Sequence, residues 1–101
     1  MTESDFDKAL GKRIQKHRKA KRFSQVELGK RLNLSRSSIA NIENGFHKPS
    51  IYQLYAICLN LGLPLEEILL PLSEMKPISK SNSQYEQLKN RIVFNRGNER
   101  L

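Results

Sequence analysis

The sequence predicts an all-α domain of five helices, followed by a C-terminal tail. Three observations point to this fold class: hydroxyl side chains stand at helix-capping positions, apolar residues follow them at helical spacing, and helix-ending residues separate the segments. A chain of 101 residues lies near the lower range at which a single core folds unaided. We therefore expect one domain, residues 5–70, and a linker and tail, residues 71–101.

The first helix is predicted to begin at a cap on Ser4 and to end near Lys21. Asp7 follows Ser4 at the three-residue spacing of a capping pair. Apolar residues then recur every fourth position, which predicts a buried stripe formed by Phe6, Leu10 and Ile14.

Two shorter helices with a tight turn between them are predicted next. Ser24 and Glu27 fit a capping box, in which each side chain accepts a hydrogen bond from the other residue's backbone N–H. A second cap follows at Ser35. Between the caps the chain must reverse at Asn33, one of the few residue types that tolerate positive φ. The predicted unit is helix, turn, helix, and it ends at Gly45.

The second helix of this unit, residues 35–44, is predicted to have two unlike faces. At 100° per residue, Ile39 and Ile42 lie on one side and would pack into the core. The opposite side is small, polar and reachable from solvent, and it contains Ser37, Asn41 and Asn44, flanked by Arg36 and Ala40.

Two further helices are predicted before residue 71. Ser50 and Gln53 form another capping box, and Gly62 ends that helix. Its buried stripe is predicted to contain Ile51, Leu54, Ile57, Cys58 and Leu61. Pro64 then opens a short fifth helix whose apolar side contains Leu65, Ile68 and Leu69.

The tail has a different character. Residues 71–84 are rich in Pro and Ser, which predicts a linker. A short amphipathic helix over residues 83–95 is predicted from the helical spacing of Tyr85, Leu88 and Ile92. An isolated helix of that length is marginal, so it would be ordered by this domain, a second copy or another protein.

The charge indicates a polyanion partner, although a merely soluble basic protein would explain the total equally well. Lys and Arg number 18 against 10 acidic residues, a formal net charge of +8. The net charges of residues 1–23, 24–49, 50–76 and 77–101 are +5, +2, −2 and +3. One face of the domain can therefore approach phosphates while another faces a partner.

Few features favour catalysis, a metal or a membrane. Cys58 is the single cysteine, which excludes an intramolecular disulfide and a cysteine metal cluster. His17 and His47 lack metal-ligand spacing, and no Gly-rich phosphate loop is present. No apolar run has the length of a signal peptide or of a membrane helix, which requires about 20 residues. We expect an intracellular, soluble protein without catalytic residues, cofactor or metal.

An ordered set of residues in the helix, turn, helix unit resembles a known family. The set is Gln25, Leu28, Leu32, Leu34, Ser35, Ile39, Ile42, Glu43 and Gly45. It is similar to the helix-turn-helix of the phage repressor and Cro family, also called the xenobiotic-response-element type. The resemblance covers residues 10–70. It implies a lambda-repressor-like fold that binds double-stranded DNA in the cytoplasm and is encoded by a bacterium or a phage.

Four positions of the helix 35–44 match the family's base-reading positions. A side chain in the major groove must match the donor and acceptor pattern of a base edge. Arg36 suits a guanine and Asn41 suits an adenine. Ser37 suits either, and Ala40 can touch a thymine methyl group.

Phosphate contacts are expected from cations and from helix N-termini. Gln25 matches the family's phosphate-contacting glutamine, while Asn44 either contacts the DNA backbone or caps its helix. The expected set is Gln25, Ser35, Asn44, Lys48 and Ser50. Further candidates, each explained equally well as a solvated charge, are Lys12, Arg13, Lys30 and Arg31.

The resemblance also implies an ion pair between Arg18 and Glu43, which would orient the third helix against the first. Three positions depart from the family. Arg22 replaces a glycine and could adopt a left-handed conformation only at a cost of roughly 1 kcal/mol, so the turn is expected to differ. Pro64 replaces a capping serine, so the fifth helix is expected to shift by a residue. His17 replaces an aliphatic residue and is expected to be half-buried, without a ligand role.

The function implied is a transcriptional regulator, more specifically a repressor. One recognition helix reads only a few base pairs, so a homodimer on a near-palindromic operator is expected. The dimer or partner surface is predicted to contain Leu65, Leu69, Leu72, Tyr85, Leu88 and Ile92. The alternative is an antitoxin or adaptor module that binds a partner protein through its tail and uses DNA binding for autoregulation.

Overall fold

The computed structural model describes residues 1–75 and shows four α-helices, each followed by a loop. They are α1 (Glu3–Ala20), α2 (Gln25–Leu32), α3 (Arg36–Glu43) and α4 (Ile51–Leu61). Two single-turn 3-10 helices follow, η1 (Leu65–Glu67) and η2 (Leu72–Glu74). The predicted all-α fold is confirmed, with η1 in the place of the fifth helix. The predicted tail helix 83–95, with Tyr85, Leu88 and Ile92, lies outside the described residues.

Serine caps start three of the four α-helices, as predicted. The Ser24 hydroxyl accepts from the backbone N–H of Glu27 at 3.0 Å, and the Glu27 carboxylate accepts from the Ser24 N–H at 3.0 Å. The hydrogen bond from the Ser24 backbone N–H is the main cause that lowers the pKa of the Glu27 carboxyl. Ser50 forms the same reciprocal box at the start of α4.

The predicted cap of α1 at Ser4 is wrong, because the helix begins two residues earlier. Thr2 is the N-cap, and its hydroxyl accepts from the Asp5 N–H at 3.1 Å while the Asp5 carboxylate accepts from the Thr2 N–H at 3.1 Å. This reciprocal pair satisfies the first donors of the helix and leaves Ser4 inside the first turn. Asp7 is consequently available to another partner.

Both turns around α2 use left-handed residues. Asn33 has φ of 58°, as predicted, and ends α2. Arg22 also has positive φ, 61°, so the expectation of a different turn after α1 is wrong. The Arg22 N–H donates to Lys19 O at 2.9 Å and the Phe23 N–H donates to Arg18 O at 3.2 Å, which is the Schellman pattern of a glycine-ended helix.

One hydrophobic core joins all four α-helices and η1. It consists of Leu10, Ile14, Leu28, Ile39, Ile42, Leu54, Ile57, Cys58, Leu61 and Ile68. Helix α1 lies very close to the end of α3 at Gly11, where a Cβ atom would be 2.4 Å from the Ile42 carbonyl oxygen. Helix α1 therefore packs directly against the C-terminal end of α3.

The fifth helical element is shorter than predicted. Pro64 precedes it without a side-chain cap, and η1 spans one turn. Ile68 is fully buried, and Leu65 and Leu69 pack partly against the core. The predicted apolar side of this element thus faces the core. The element begins directly after Pro64, so the expected shift by one residue is wrong.

Helix α4 has a second apolar surface that the predicted stripe did not include. Ile51 is 70% exposed, so its predicted burial is wrong. At 100° per residue it lies at the edge between the buried face and Tyr55, and the core contacts are made by later turns. The exposed surface, called here the α4 stripe, contains Ile51, Tyr52, Tyr55 and Leu59.

Within residues 1–75, no single helix has the length and apolarity needed to cross a membrane. Only Ile51–Leu61 and Leu65–Glu74 taken together reach those values, and they are bent by 96° relative to each other.

Candidate nucleic-acid interface

Helix α3 is fixed at both ends by its own caps. The Ser35 hydroxyl accepts from the Ser38 N–H at 3.1 Å, and the Asn44 N–H donates to Ala40 O at 2.9 Å. Ile39 and Ile42 are 1% and 2% exposed. Burial of these two side chains fixes the rotation of the helix about its axis.

The opposite face of α3 is open to solvent. Arg36, Ser37, Asn41 and Asn44 are exposed, and Ala40 is half-buried among them. A guanidinium, a hydroxyl, an amide and a methyl group thus share one helix face, which is the donor, acceptor and apolar repertoire that base edges require. The structure therefore brings the four predicted base-reading residues together.

Arg18 and Glu43 form a buried bidentate ion pair. Arg18 Nε donates to Glu43 Oε2 at 2.6 Å and Nη2 donates to Oε1 at 3.0 Å. The residues are 6% and 4% exposed. Arg18 Nη1 also donates to Phe23 O at 2.8 Å, so one guanidinium joins α1, the turn before α2 and the end of α3.

Gln25 belongs to the same network. Its Nε2 donates to Glu43 Oε1 at 3.0 Å, so the side chain is held between α2 and α3. The predicted role of Gln25 was phosphate contact, and its link to Glu43 was missed. Sequence spacing could not reveal it, because the two residues are 18 positions apart and meet only through the packing of α2 on α3.

The two predicted serine contacts are helix caps. Ser35 and Ser50 accept hydrogen bonds from the backbone N–H groups of Ser38 and Gln53. Such caps leave the other first-turn N–H groups of α3 and α4 without helical partners, and those groups attract anions. At both positions the helix N-terminus, more than the serine hydroxyl, is therefore the feature that could attract an anion.

Lys48 is not a free cation. Its Nζ contacts the Glu3 carboxylate and lies 3.4 Å from Asp7 Oδ1. The hydrogen bond that Lys48 donates to the Glu3 carboxylate raises the pKa of the Lys48 ammonium, and the same bond lowers the pKa of the Glu3 carboxyl. A phosphate that contacts Lys48 must therefore take it from these two carboxylates.

Two of the further phosphate candidates have structural roles. Arg13 Nε donates to Ile68 O at 2.9 Å and Nη2 donates to Glu67 O at 3.0 Å, so Arg13 fastens η1 to α1. The Arg31 guanidinium lies 4.5 Å from the centre of the Phe23 ring. Lys12 and Lys30 are exposed, and His17 is half-buried as expected.

The described part of the predicted dimer surface is divided between core and solvent. Leu65 and Leu69 are half-buried, whereas Leu72 is 78% exposed. An open, mostly apolar cavity of about 240 Å³ is lined by Leu65, Glu66, Leu69, Leu70 and Pro71. The exposed apolar side chains of the α4 stripe form a separate surface.

Two features of the described residues bear on other kinds of chemistry: the side chains that could bind a metal ion, and the cysteine. Among residues 1–75, no group of three or more His, Cys, Asp or Glu side chains could hold a metal ion. Cys58 is 5% exposed, and burial raises the pKa of its thiol.

Comparisons with known proteins agree with this geometry. Residues 14–68 match the family model HTH_3, described as helix-turn-helix. The chain is 31% identical over 87 residues to the immunity repressor protein of Bacillus phage phi105, covering 86% of this chain and 58% of that protein. It is 34% identical over 73 residues to the ImmF control region 10 kDa protein of the same phage, covering 72% and 79%.

A solved structure shows the same fold. The restriction-modification controller protein C.AhdI from Aeromonas hydrophila superposes with a TM-score of 0.65 at 23% identity, covering 68% of this chain and 100% of that chain. The chain spans less than two thirds of the length of the immunity repressor that it matches.

Proposed function

The chain belongs to the helix-turn-helix family of xenobiotic-response-element type, a family of DNA-binding regulators, and on that basis we propose that it is a sequence-specific repressor of transcription. The family is not enzymatic, and its fold is the lambda-repressor-like one. The proposal places α3 and its caps, residues 35–44, in the major groove of double-stranded DNA. Repression is favoured by the similarity to an immunity repressor.

The open face of α3 is the observation that carries this proposal. Arg36 and Asn41 are exposed on a helix whose opposite face is anchored by buried isoleucines. Arg36 would pair with a guanine edge and Asn41 with an adenine edge, while Ser37 and Ala40 would read neighbouring positions. The rigidity of the anchor favours discrimination, because a misplaced side chain cannot shift to suit a wrong base.

Phosphates on either side of the groove would be held by the N-termini of α2, α3 and α4. Gln25 lies at the first position of α2, and its amide is oriented by Glu43. The remaining proposed contacts are made at Ser35, Asn44, Lys48 and Ser50.

A two-fold dimer is proposed because a single α3 reads too few base pairs for a unique site. Its recognition helices would lie about 34–36 Å apart on a near-palindromic operator. Two described surfaces are candidates for the contact: the α4 stripe, and the apolar groove at Leu65 and Leu69 together with Leu72. The protein would act in the cytoplasm of a bacterium, where its DNA lies.

The test is sequence dependence measured on variants of α3. DNase footprinting upstream of the protein's own gene would first define a site. Arg36→Ala and Asn41→Ala should each weaken binding to that site by about 1–3 kcal/mol and binding to random DNA little. Lys19→Ala removes an exposed positive charge from α1 and is the matched control, which should not change the ratio of specific to random binding. Equal losses on both DNAs would refute direct readout at these positions.

A further inference from the structure

The ion pairs of Lys48 join the N-terminal end of α1 to the loop between α3 and α4. Lys48 is bound by two carboxylates, those of Glu3 and Asp7. The Lys48 side chain is only 51% exposed, although the residue lies in a surface loop. The Asp7 Oδ1 atom is buried without a hydrogen bond, and the Lys48 ammonium lies 3.4 Å from it.

This cluster lies beside the end of the proposed DNA-reading face. Gly45 follows directly after Asn44 and approaches α1 so closely that a Cβ atom on it would be 2.8 Å from the Lys8 backbone. Lys8 is the neighbour of Asp7, and Lys48 is three residues beyond Gly45. When a helix lies in the major groove, the loop at its end meets the sugar-phosphate backbone. The cluster would therefore meet phosphate.

The electrostatics of the cluster oppose that contact. Two carboxylates and one ammonium have a formal net charge of −1. The carboxylate oxygens contact the ammonium in the same way as phosphate oxygens would. A phosphate approaching Lys48 must displace the carboxylates and is repelled by them. The Lys48 ammonium, which this loop could offer to a phosphate, is thus already paired with carboxylates of the same chain.

We propose that Glu3 and Asp7 compete with DNA phosphate for Lys48 and thereby lower the affinity of the protein for DNA of any sequence. This inference rests on the proposed DNA-binding function. The competition affects a backbone contact and not base reading, so it weakens specific and random binding alike and suppresses retention on non-cognate DNA.

The test is a double-mutant cycle between the carboxylates and Lys48, measured by DNA titration at several salt concentrations. Glu3→Gln with Asp7→Asn should tighten binding to both operator and random DNA by roughly 2–10-fold at low salt. The slope of log K against log[salt] should become steeper by up to about 0.9, the value for one full phosphate contact. In a Lys48→Gln background, the same pair of changes should have a much smaller effect.

The matched control is Glu67→Gln with Glu74→Gln, which removes the same charge from exposed residues of η1 and η2. If this control tightens binding as much as the first pair, or if the first pair acts equally with Lys48→Gln, only net charge is involved and the inference is wrong. Urea unfolding checks stability. Should Asp7→Asn unfold the protein, Glu3→Gln alone serves, because the Glu3 side chain is 75% exposed and lies outside the capping box.

The outcome is distinguishable from failure of the proposed function. A wild-type protein that binds its footprinted site no better than random DNA refutes specific recognition. A wild-type protein that binds specifically, with variants that match the control, refutes only the competition at Lys48.

Discussion

Glu43 occupies a position where its charge opposes its own helix. It is the last residue of α3, and the C-terminal end of a helix disfavours a negative charge. Its carboxylate nevertheless accepts from both Arg18 and Gln25, which come from α1 and α2. Desolvation of a buried pair offsets most of its attraction, so the benefit is orientation of α3 more than stability.

Breaking this pair should destabilise the domain strongly. Glu43→Gln leaves the buried Arg18 guanidinium without a counter-charge and should lower the free energy of unfolding by about 3 kcal/mol, measured by urea denaturation. The double variant Arg18→Met with Glu43→Leu removes both charges and should be more stable than Glu43→Gln. A single variant that is as stable as wild type would contradict this account.

Within residues 1–75, Arg22 is the residue whose backbone conformation conflicts most with its type. A left-handed backbone is disfavoured for a residue with a Cβ atom, and the structure holds Arg22 there at φ of 61°. Arg22→Gly should raise the free energy of unfolding by roughly 1 kcal/mol, measured thermally and in urea. Asn33→Gly is the control at φ of 58° and should gain less, because asparagine tolerates this region. Equal gains would show that relief of strain at Arg22 is not the cause.

At the scale of helices, the approach of α1 to α3 decides where the reading face points. The approach depends on Gly11, since a Cβ there would lie 2.4 Å from Ile42 O and 2.5 Å from Glu43 O. Both neighbours are backbone atoms, which cannot rotate away. The glycine therefore serves packing in a position where alanine would favour the helix by roughly 1 kcal/mol.

Gly11→Ala should destabilise the domain in spite of that gain in helix propensity. Forcing α1 away from α3 should lower the free energy of unfolding by about 1–3 kcal/mol and weaken operator binding, because α3 moves. Lys12→Ala, on the exposed side of the same helical turn, reports propensity alone and should be nearly neutral in unfolding. A stabilised Gly11→Ala protein would show that the helices separate without cost.

On the scale of the whole molecule, charge is unevenly distributed along the chain, and the α4 stripe lies in its acidic segment. The net charge is +5 over residues 1–23 and −2 over residues 50–76. Residues 51–61, which form α4, contain no charged side chain at all. A second copy could therefore meet the α4 stripe without repulsion between like charges, leaving the basic segments free for DNA.

Oligomeric state tests this surface directly. Tyr55→Glu places a charge in the centre of the α4 stripe and should convert a dimer into a monomer, measured by sedimentation equilibrium at tens of micromolar protein with and without operator DNA. Leu72→Glu is the comparison on η2 and should leave the dimer intact. The reverse result would assign the contact to the η2 side, and a monomeric wild type in the presence of operator DNA would refute dimerisation.

Much of the fold follows from local chemistry that a sequence displays. The Ser24, Ser35 and Ser50 caps, the left-handed turn at Asn33 and the end of α4 at Gly62 each depend on residues within one turn of chain. The predicted start of α1 was wrong because two pairs, Thr2 with Asp5 and Ser4 with Asp7, have the same spacing. Only the earlier pair forms both hydrogen bonds of the capping box. The candidate base-reading face was predictable for a similar reason, since helical periodicity separates it from Ile39 and Ile42.

The sequence by itself therefore determined the helices, their caps and the two faces of α3, because these arise from interactions among neighbours along the chain. Only the tertiary structure decided what Gln25, Lys48 and Arg13 contact. Their partners Glu43, Glu3 and Ile68 lie 18 to 55 residues away and become neighbours only when the helices pack. A cation's charge is visible in a sequence, but whether another part of the chain already neutralises it depends on distance in space.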